Sequence, residues 1–236
     1  GLSNSFRPID VKVGPDGAIY VADWSNPIIQ HGEVDFRDPR RDKVHGRIWR
    51  ITYRGKGLVK TPDLIGASDE ALLESLLSPN GFEQQHARRV LTERGVTIRK
   101  ALNRWVEEQT SEFALLQALW MYQAVDSLKP DLLDRLLVAE DGRVRAAAVR
   151  VLRFWQNRIG GSEKKLASAI RDAHPRVRME AMRGLIHQKD AAAAAAVLEG
   201  LEKPMDRFLD YAMWLSIRDL AEPWVNSIRT GLWSSL

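Results

Sequence analysis

The chain contains no cysteine, which removes disulfides, a thiolate nucleophile, thiolate metal sites and covalent haem attachment through Cys-x-x-Cys-His. It has no apolar run near the roughly 20 residues that cross a bilayer. Gly1-Leu2-Ser3-Asn4-Ser5 offers neither a charged stretch nor a following apolar core, so no secretory signal is read there. Histidine is scarce, five in 236 residues, and no two stand at His-x-x-x-His spacing, so no metal site is expected. A strong excess of one charge is missing too, 35 Lys and Arg facing 31 Asp and Glu. A phosphate backbone gripped along the whole chain would ask for a basic surface.

What is present is a signature that occurs twice. Asp141-Gly142-Arg143-Val144-Arg145-Ala146-Ala147-Ala148-Val149-Arg150-Val151-Leu152 is answered by His174-Pro175-Arg176-Val177-Arg178-Met179-Glu180-Ala181-Met182-Arg183-Gly184-Leu185. In each, Val, Ala and Leu at offsets of four form one helical stripe, and the small Ala admits a neighbouring helix. Ala87, Ala118, Ala148, Ala181 and Ala212 hold the same place in successive apolar stretches. Each follows a shorter amphipathic segment: 72–77, 101–106, 132–137, 166–170 and 193–201. A helix pair repeated at this period predicts an α-solenoid of about five hairpins over 67–236, its alanines lining a dry seam. Residues 224–228 read as the first helix of a further hairpin, so the chain is expected to continue. The fold is mainly α, with a small N-terminal antiparallel β segment over 1–66.

That β segment begins with alternation at Ile9-Asp10-Val11-Lys12-Val13, turns at Gly14-Pro15-Asp16-Gly17, and returns as Ala18-Ile19-Tyr20-Val21-Ala22-Asp23. Residues 46–53 alternate again. The intervening stretch, 25–45, is too long and too charged for an idle connection. Three strands bury little by themselves, so a larger β structure is expected around them. Gly55 to Gly66 reads as the linker into the helices.

Phe6-Arg7-Pro8-Ile9-Asp10-Val11, Gly14 to Trp24, Asn26-Pro27-Ile28-Ile29 with His31, Asp38-Pro39-Arg40-Arg41-Asp42 and His45 to Ile51 together resemble the last blade of a bacterial β-propeller family. That family is described as membrane-bound dehydrogenase domains and is similar to glucose/sorbosone dehydrogenases. Its members commonly continue into HEAT-like repeats, and many end in a c-type haem domain. The resemblance implies a remnant blade at 1–66 and HEAT-like repeats at 67–236, from a quinone-dependent sugar or alcohol dehydrogenase of the periplasm or cell exterior. No cofactor is expected in this chain itself, because the other blades and the haem motif are missing. The expected function is a protein-interaction scaffold that engages a partner protein or neighbouring domains, without turnover alone.

Substrate contacts, if the parent is such an enzyme, are placed on Asp23, His31, Arg37, Asp38, Arg41 and His45, since His, Asp and Arg in one loop suit sugar recognition or proton transfer. The Asp38–Asp42 run also reads as a loop tied by local Asp–Arg hydrogen bonds. A second reading is similarity to HEAT-like DNA glycosylases. Arg145, Arg150, Arg153, Arg176, Arg178 and Arg183 would then face nucleic acid. Residues 67–236 carry 24 basic against 23 acidic side chains, which speaks against it. The plainer role for Arg145 and Arg178 is to pair with an inter-repeat acid such as Asp141 or Asp172 and hold hairpins in register. Trp105, Trp120, Trp155, Trp214, Trp224 and Trp233 could offer aromatic platforms to a base or sugar, but most stand at helical spacing beside Leu and Val and read as packing residues, Trp224 and Trp233 least clearly.

Overall fold

The computed structural model describes residues 5–28 and 32–235. The chain divides into two compact units, Gly1–Val90 and Leu91–Leu236. In the first, β1 (Pro8–Val13), β2 (Ile19–Asp23) and β3 (Arg47–Ile51) form an antiparallel sheet in the order β1-β2-β3. The β1–β2 turn closes because Gly17 takes φ +77° and Gly14 N–H donates to Ala18 O at 2.8 Å. A β-branched or aromatic side chain could not hold that dihedral without strain. Asp16 accepts from Ala18 N–H at 3.1 Å, from Tyr20 OH at 3.1 Å and from Arg50 Nε at 2.9 Å. The linker adds Val59 N–H on Asp16 O at 2.9 Å.

Register fixes the two faces. Val11, Val21 and Trp49 lie opposite one another, as do Val13, Ile19 and Ile51. These side chains therefore share one face. Val21 is buried, but the surrounding Val11, Val13, Ile19, Trp49 and Ile51 remain about half exposed. The sheet thus keeps an open apolar face.

The helices begin where the sequence provides caps. Ser68 accepts from Ala71 N–H ahead of α1 (Asp69–Ser75), Asp141 from Arg143 ahead of α6 (Gly142–Trp155), and Asp190 from Ala193 ahead of α9 (Ala191–Leu198). Asp206 accepts from Phe208 and Leu209 ahead of α10 (Arg207–Asp219). Pro130 and Pro175 open α5 (Pro130–Leu137) and α8 (Pro175–Leu185), where a missing N–H costs nothing. The remaining helices are α2 (Gly81–Arg94), α3 (Arg99–Glu108), α4 (Glu112–Ala124), α7 (Ser162–Ala169) and α11 (Ala221–Arg229). In the second unit α3/α4, α5/α6, α7/α8 and α9/α10 pair as hairpins, and in the first α1 is followed by α2, with Ser75 Oγ donating to Glu83 at 2.9 Å.

The division between the units falls inside α2, beyond the change from β to α at 67–69. In the second unit α4, α6, α8 and α10 stack in that order, and α7, α9 and α11 follow one another as first helices. Ala87, Ala118, Ala148 and Ala181 have no exposed surface and Ala212 little. Within the second unit, Ala118, Ala148, Ala181 and Ala212 lie on the packed sides of the stacked helices. The architecture is a HEAT-like α-solenoid with a small antiparallel sheet.

Trp105 and Trp155 are core residues, while Trp120, Trp224 and Trp233 are partly covered. Trp214 departs from the packing role: it is 56% exposed. It shares the side of α10 with Tyr211 and Arg218, opposite Leu209, Ala212, Met213 and Ser216, which face the neighbours.

Candidate functional site

In the first unit the 25–45 loop is organised from within. Asp23 ends β2 as a buried carboxylate. Its Oδ1 accepts from Arg7 N–H and Ser25 N–H, both at 2.7 Å, and its Oδ2 from Trp49 Nε1 at 2.8 Å. Burial alone would raise its pKa, but these donors outweigh that and leave it below the ordinary carboxylate value. Arg41 is also drawn inward. Its guanidinium donates to the carbonyls of Asp35 at 3.0 Å, Val34 at 2.9 Å and Ile28 at 3.3 Å, so one side chain gathers three points of the loop.

Asp38 receives Arg40 Nε at 3.0 Å, Nη2 at 2.8 Å and its backbone N–H at 2.9 Å. That hydrogen bonding with Arg40 holds its carboxyl down to about 2. Arg37 points to solvent, its N–H donating to Asp35. His45 is exposed, with Nδ1 3.2 Å from Asp42 Oδ1. His31 lies outside the described residues. The structure thus turns Asp23 and Arg41 toward the loop's own backbone and leaves Arg37 and His45 at the surface.

In the second unit the repeated arginines separate into two kinds. Arg145 and Arg178, three residues before the buried alanine, work between repeats. Arg145 forks onto Asp172 and also donates to Ala139 O at 2.7 Å and Glu140 O at 2.9 Å. Arg178 is 2% exposed. It donates to the carbonyls of Asp172 at 2.9 Å, Ala173 at 3.0 Å and Pro204 at 2.6 Å. Burial would raise Asp172, but Arg145 and the His174 N–H outweigh it and bring its pKa below the ordinary value. In the preceding repeat Glu112 makes the corresponding link, accepting from the N–H groups of Glu140 at 2.6 Å and Asp141 at 3.1 Å. The register role read for these arginines is therefore present, with backbone carbonyls replacing an acid as Arg178's partners.

The second kind faces outward. A groove of about 650 Å³ runs over the stacked helices, lined by Glu112, Phe113 and Trp120 of α4, the capping Asp141, Arg143 and Arg150 of α6, and Arg176 and Glu180 of α8. Glu180 is 2% exposed; its Oε2 accepts no hydrogen bond and lies 3.5 Å from Arg153 Nη1. Around it α6 and α8 carry seven arginines and no other acid; Asp141 holds Arg143 and Asp172 holds Arg145, while Arg150 and Arg176 remain at the surface. Of the arginines read for nucleic acid, Arg150 and Arg176 line this groove and Arg183 is exposed beyond it, whereas Arg145 and Arg178 are occupied and Arg153 is mostly covered beside Glu180. Such a surface can receive carboxylates or phosphates beside aromatic rings. The sequence reading favoured packing over an aromatic platform for Trp120 and Trp214, whereas Trp120 lines this groove and Trp214 is exposed on α10; the signal for both was their fixed place two residues after the aligned alanine.

Among the described residues no group of three or more His, Asp or Glu is placed to hold a metal ion, and no helix is long and apolar enough to cross a membrane. No curated protein matches the chain. Residues 3–55, which contain the sheet and its loop, match the family model described as Domain of unknown function (DUF7133). Residues 130–215, from α5 into α10, match the model described as HEAT repeats, in agreement with the stacked hairpins and the arginines that fasten them.

Proposed function

We propose that this chain is an interaction and scaffold module of a larger propeller-type sugar or alcohol dehydrogenase, holding a partner protein or neighbouring domains without turnover of its own. The observation that carries the module reading is the outward side of the second helices, where Phe113, Phe154, Tyr211 and Trp214 stay about half exposed among arginines. Aromatic and arginine side chains in one surface are the composition of protein contacts, and a stacked helical array offers such a surface at length. The parent assignment is supported by the resemblance of residues 1 to about 66 and by the open apolar face of the sheet, which suits a second sheet packed about 10 Å away. In that parent, a quinone-dependent enzyme of the periplasm or cell exterior with a separate c-type haem domain, the loop from Asp23 to His45 is where substrate would be met.

Hydroxyl-radical footprinting of the chain alone and within its complete reading frame tests the module. Protection of Phe154, Tyr211 and Trp214 in the complete protein is the expected result, and equal oxidation of all three in both would overturn it. The parent reading is tested by that reading frame: further β-strand repeats with Gly-Pro-Asp-Gly turns support it, and their absence removes it. Dye reduction by the isolated chain with quinone, calcium and a panel of sugars would contradict the lack of turnover.

A further inference from the structure

Aligned on the buried alanine of each second helix, the outward faces of α4, α6, α8 and α10 repeat. Two residues after that alanine stand Trp120, Arg150, Arg183 and Trp214, two arginines on adjacent helices bracketed by tryptophans. Arg150 is exposed and has neither a hydrogen-bond nor an ion-pair partner among the described residues. Arg183 is about half exposed, and its nearest carboxylate oxygen, Glu180 Oε1, is 3.8 Å from Nη1. Trp120 lines the groove. Trp214 is held upright by Tyr211, stacked at 6.0 Å, and by the Arg218 guanidinium at 4.9 Å. A rigid aromatic already oriented loses little freedom on binding.

The spacing of the row suggests the conformation of its occupant. Each of these helices packs on the next, and helices in contact lie about 8–10 Å apart. A polyproline II chain rises about 3.1 Å per residue with about three residues per turn, so it returns a side chain to the same face about every 9 Å. One residue in three then meets successive helices.

We propose that the row Trp120–Arg150–Arg183–Trp214 binds an acidic polyproline II segment of a partner protein, with two carboxylates three residues apart on the arginines and an apolar side chain three residues beyond each on the tryptophans. This rests on the interaction-module reading and gives the partner its chemistry. Nucleic acid fits the row less well. Residues 91–236 hold 22 Lys and Arg against 19 Asp and Glu, α4, α6, α8 and α10 contain no lysine, and the row ends in indoles rather than cations. A single strand requires positive charge along its backbone.

The test is fluorescence anisotropy with the full chain and a fluorescein-labelled, proline-rich peptide. The peptide has two glutamates three residues apart and a leucine three residues outside each. Binding is expected to weaken at least about tenfold in the doubly substituted R150Q/R183Q chain, and comparably when the peptide glutamates become glutamine. Trp214→Ala should weaken it several-fold. Both arginines are exposed, so an unchanged thermal midpoint in R150Q/R183Q assigns the loss to the surface. No binding by the unsubstituted chain, binding indifferent to R150Q/R183Q or to the glutamine peptide, or tighter binding of oligothymidylate at the same arginines overturns the proposal. If the peptide fails while Phe154, Tyr211 and Trp214 are still protected in the complete protein, the module stands and only this partner chemistry falls.

Discussion

Arg145 and Asp172, 27 residues apart in sequence, meet fork to fork, with Nε 2.7 Å from Oδ2 and Nη2 2.9 Å from Oδ1. Both side chains are mostly withdrawn from water, and the pair joins consecutive hairpins. Removing Arg145 also frees the carbonyls of Ala139 and Glu140. Arg145→Ala is expected to lower stability by about 1–3 kcal/mol. A double-mutant cycle with Asp172→Ala should give a coupling of about 0.5–3 kcal/mol. Denaturant titration checks it, and additive losses would show that the pair does not act as one contact.

Asp141, the cap of α6, gives a pH signature. The Arg143 side chain, then its backbone N–H, hold the carboxyl down to about 2 from an ordinary 3.8. The folded value is the lower one, so its stabilisation is present above about pH 4 and is lost as pH falls through about 2. Asp141→Asn retains the capping acceptor and removes the charge. The melting-temperature advantage of the unsubstituted chain over this variant should therefore shrink steadily from about pH 5 to pH 2, as followed by circular dichroism.

Glu180 is the one acid within the arginine-rich pair α6 and α8. Burial, with Arg183 close by, depresses the pKa of Arg153. Glu180→Ala leaves that guanidinium uncompensated and is expected to cost about 3 kcal/mol. Adding Arg153→Leu should return much of the loss, because an apolar contact replaces a broken ion pair. A double variant less stable than Glu180→Ala alone would refute this reading, with urea unfolding as the measurement.

Asp23 ties strand, loop and indole together through three donors. Asp23→Ala should shift the unfolding midpoint of the first unit clearly more than Asp10→Ala, whose carboxylate meets exposed Lys12. Near-ultraviolet circular dichroism of Trp49 should change only in the former. Equal effects would remove Asp23 as the brace of this sheet.

Much of the helical architecture is legible in the sequence, for an identifiable reason. A helix that must approach its neighbour closely needs a small residue at the same turn in every repeat, and Ala118, Ala148, Ala181 and Ala212 supply it. The pairing of Arg145 with Asp172 was legible because both partners are charged side chains. Arg178 was only half legible: its partners are carbonyls, and any residue carries one. The outward Trp214 resembled the buried Trp155 because spacing along a helix does not say which side lacks a neighbour. In the sheet, alternation at 9–13 and 46–53 located the strands, the last ending at Ile51, but it could not show that the face carrying Val13 and Ile51 would stay open. The charged loop was readable as an unusual segment. The inward fold of Arg41 was not, since its partners are backbone carbonyls, which every residue carries.

The hydrogen bond from Arg178 Nη2 to Pro204 O has an evolutionary consequence. A link that ends on the polypeptide backbone asks nothing of the side chain across from it, so position 204 can drift freely while the bridge survives. The bridge from Arg145 must keep two matched partners through every generation. Recombination that exchanges one hairpin for a foreign one should therefore be tolerated better across the second joint than across the first.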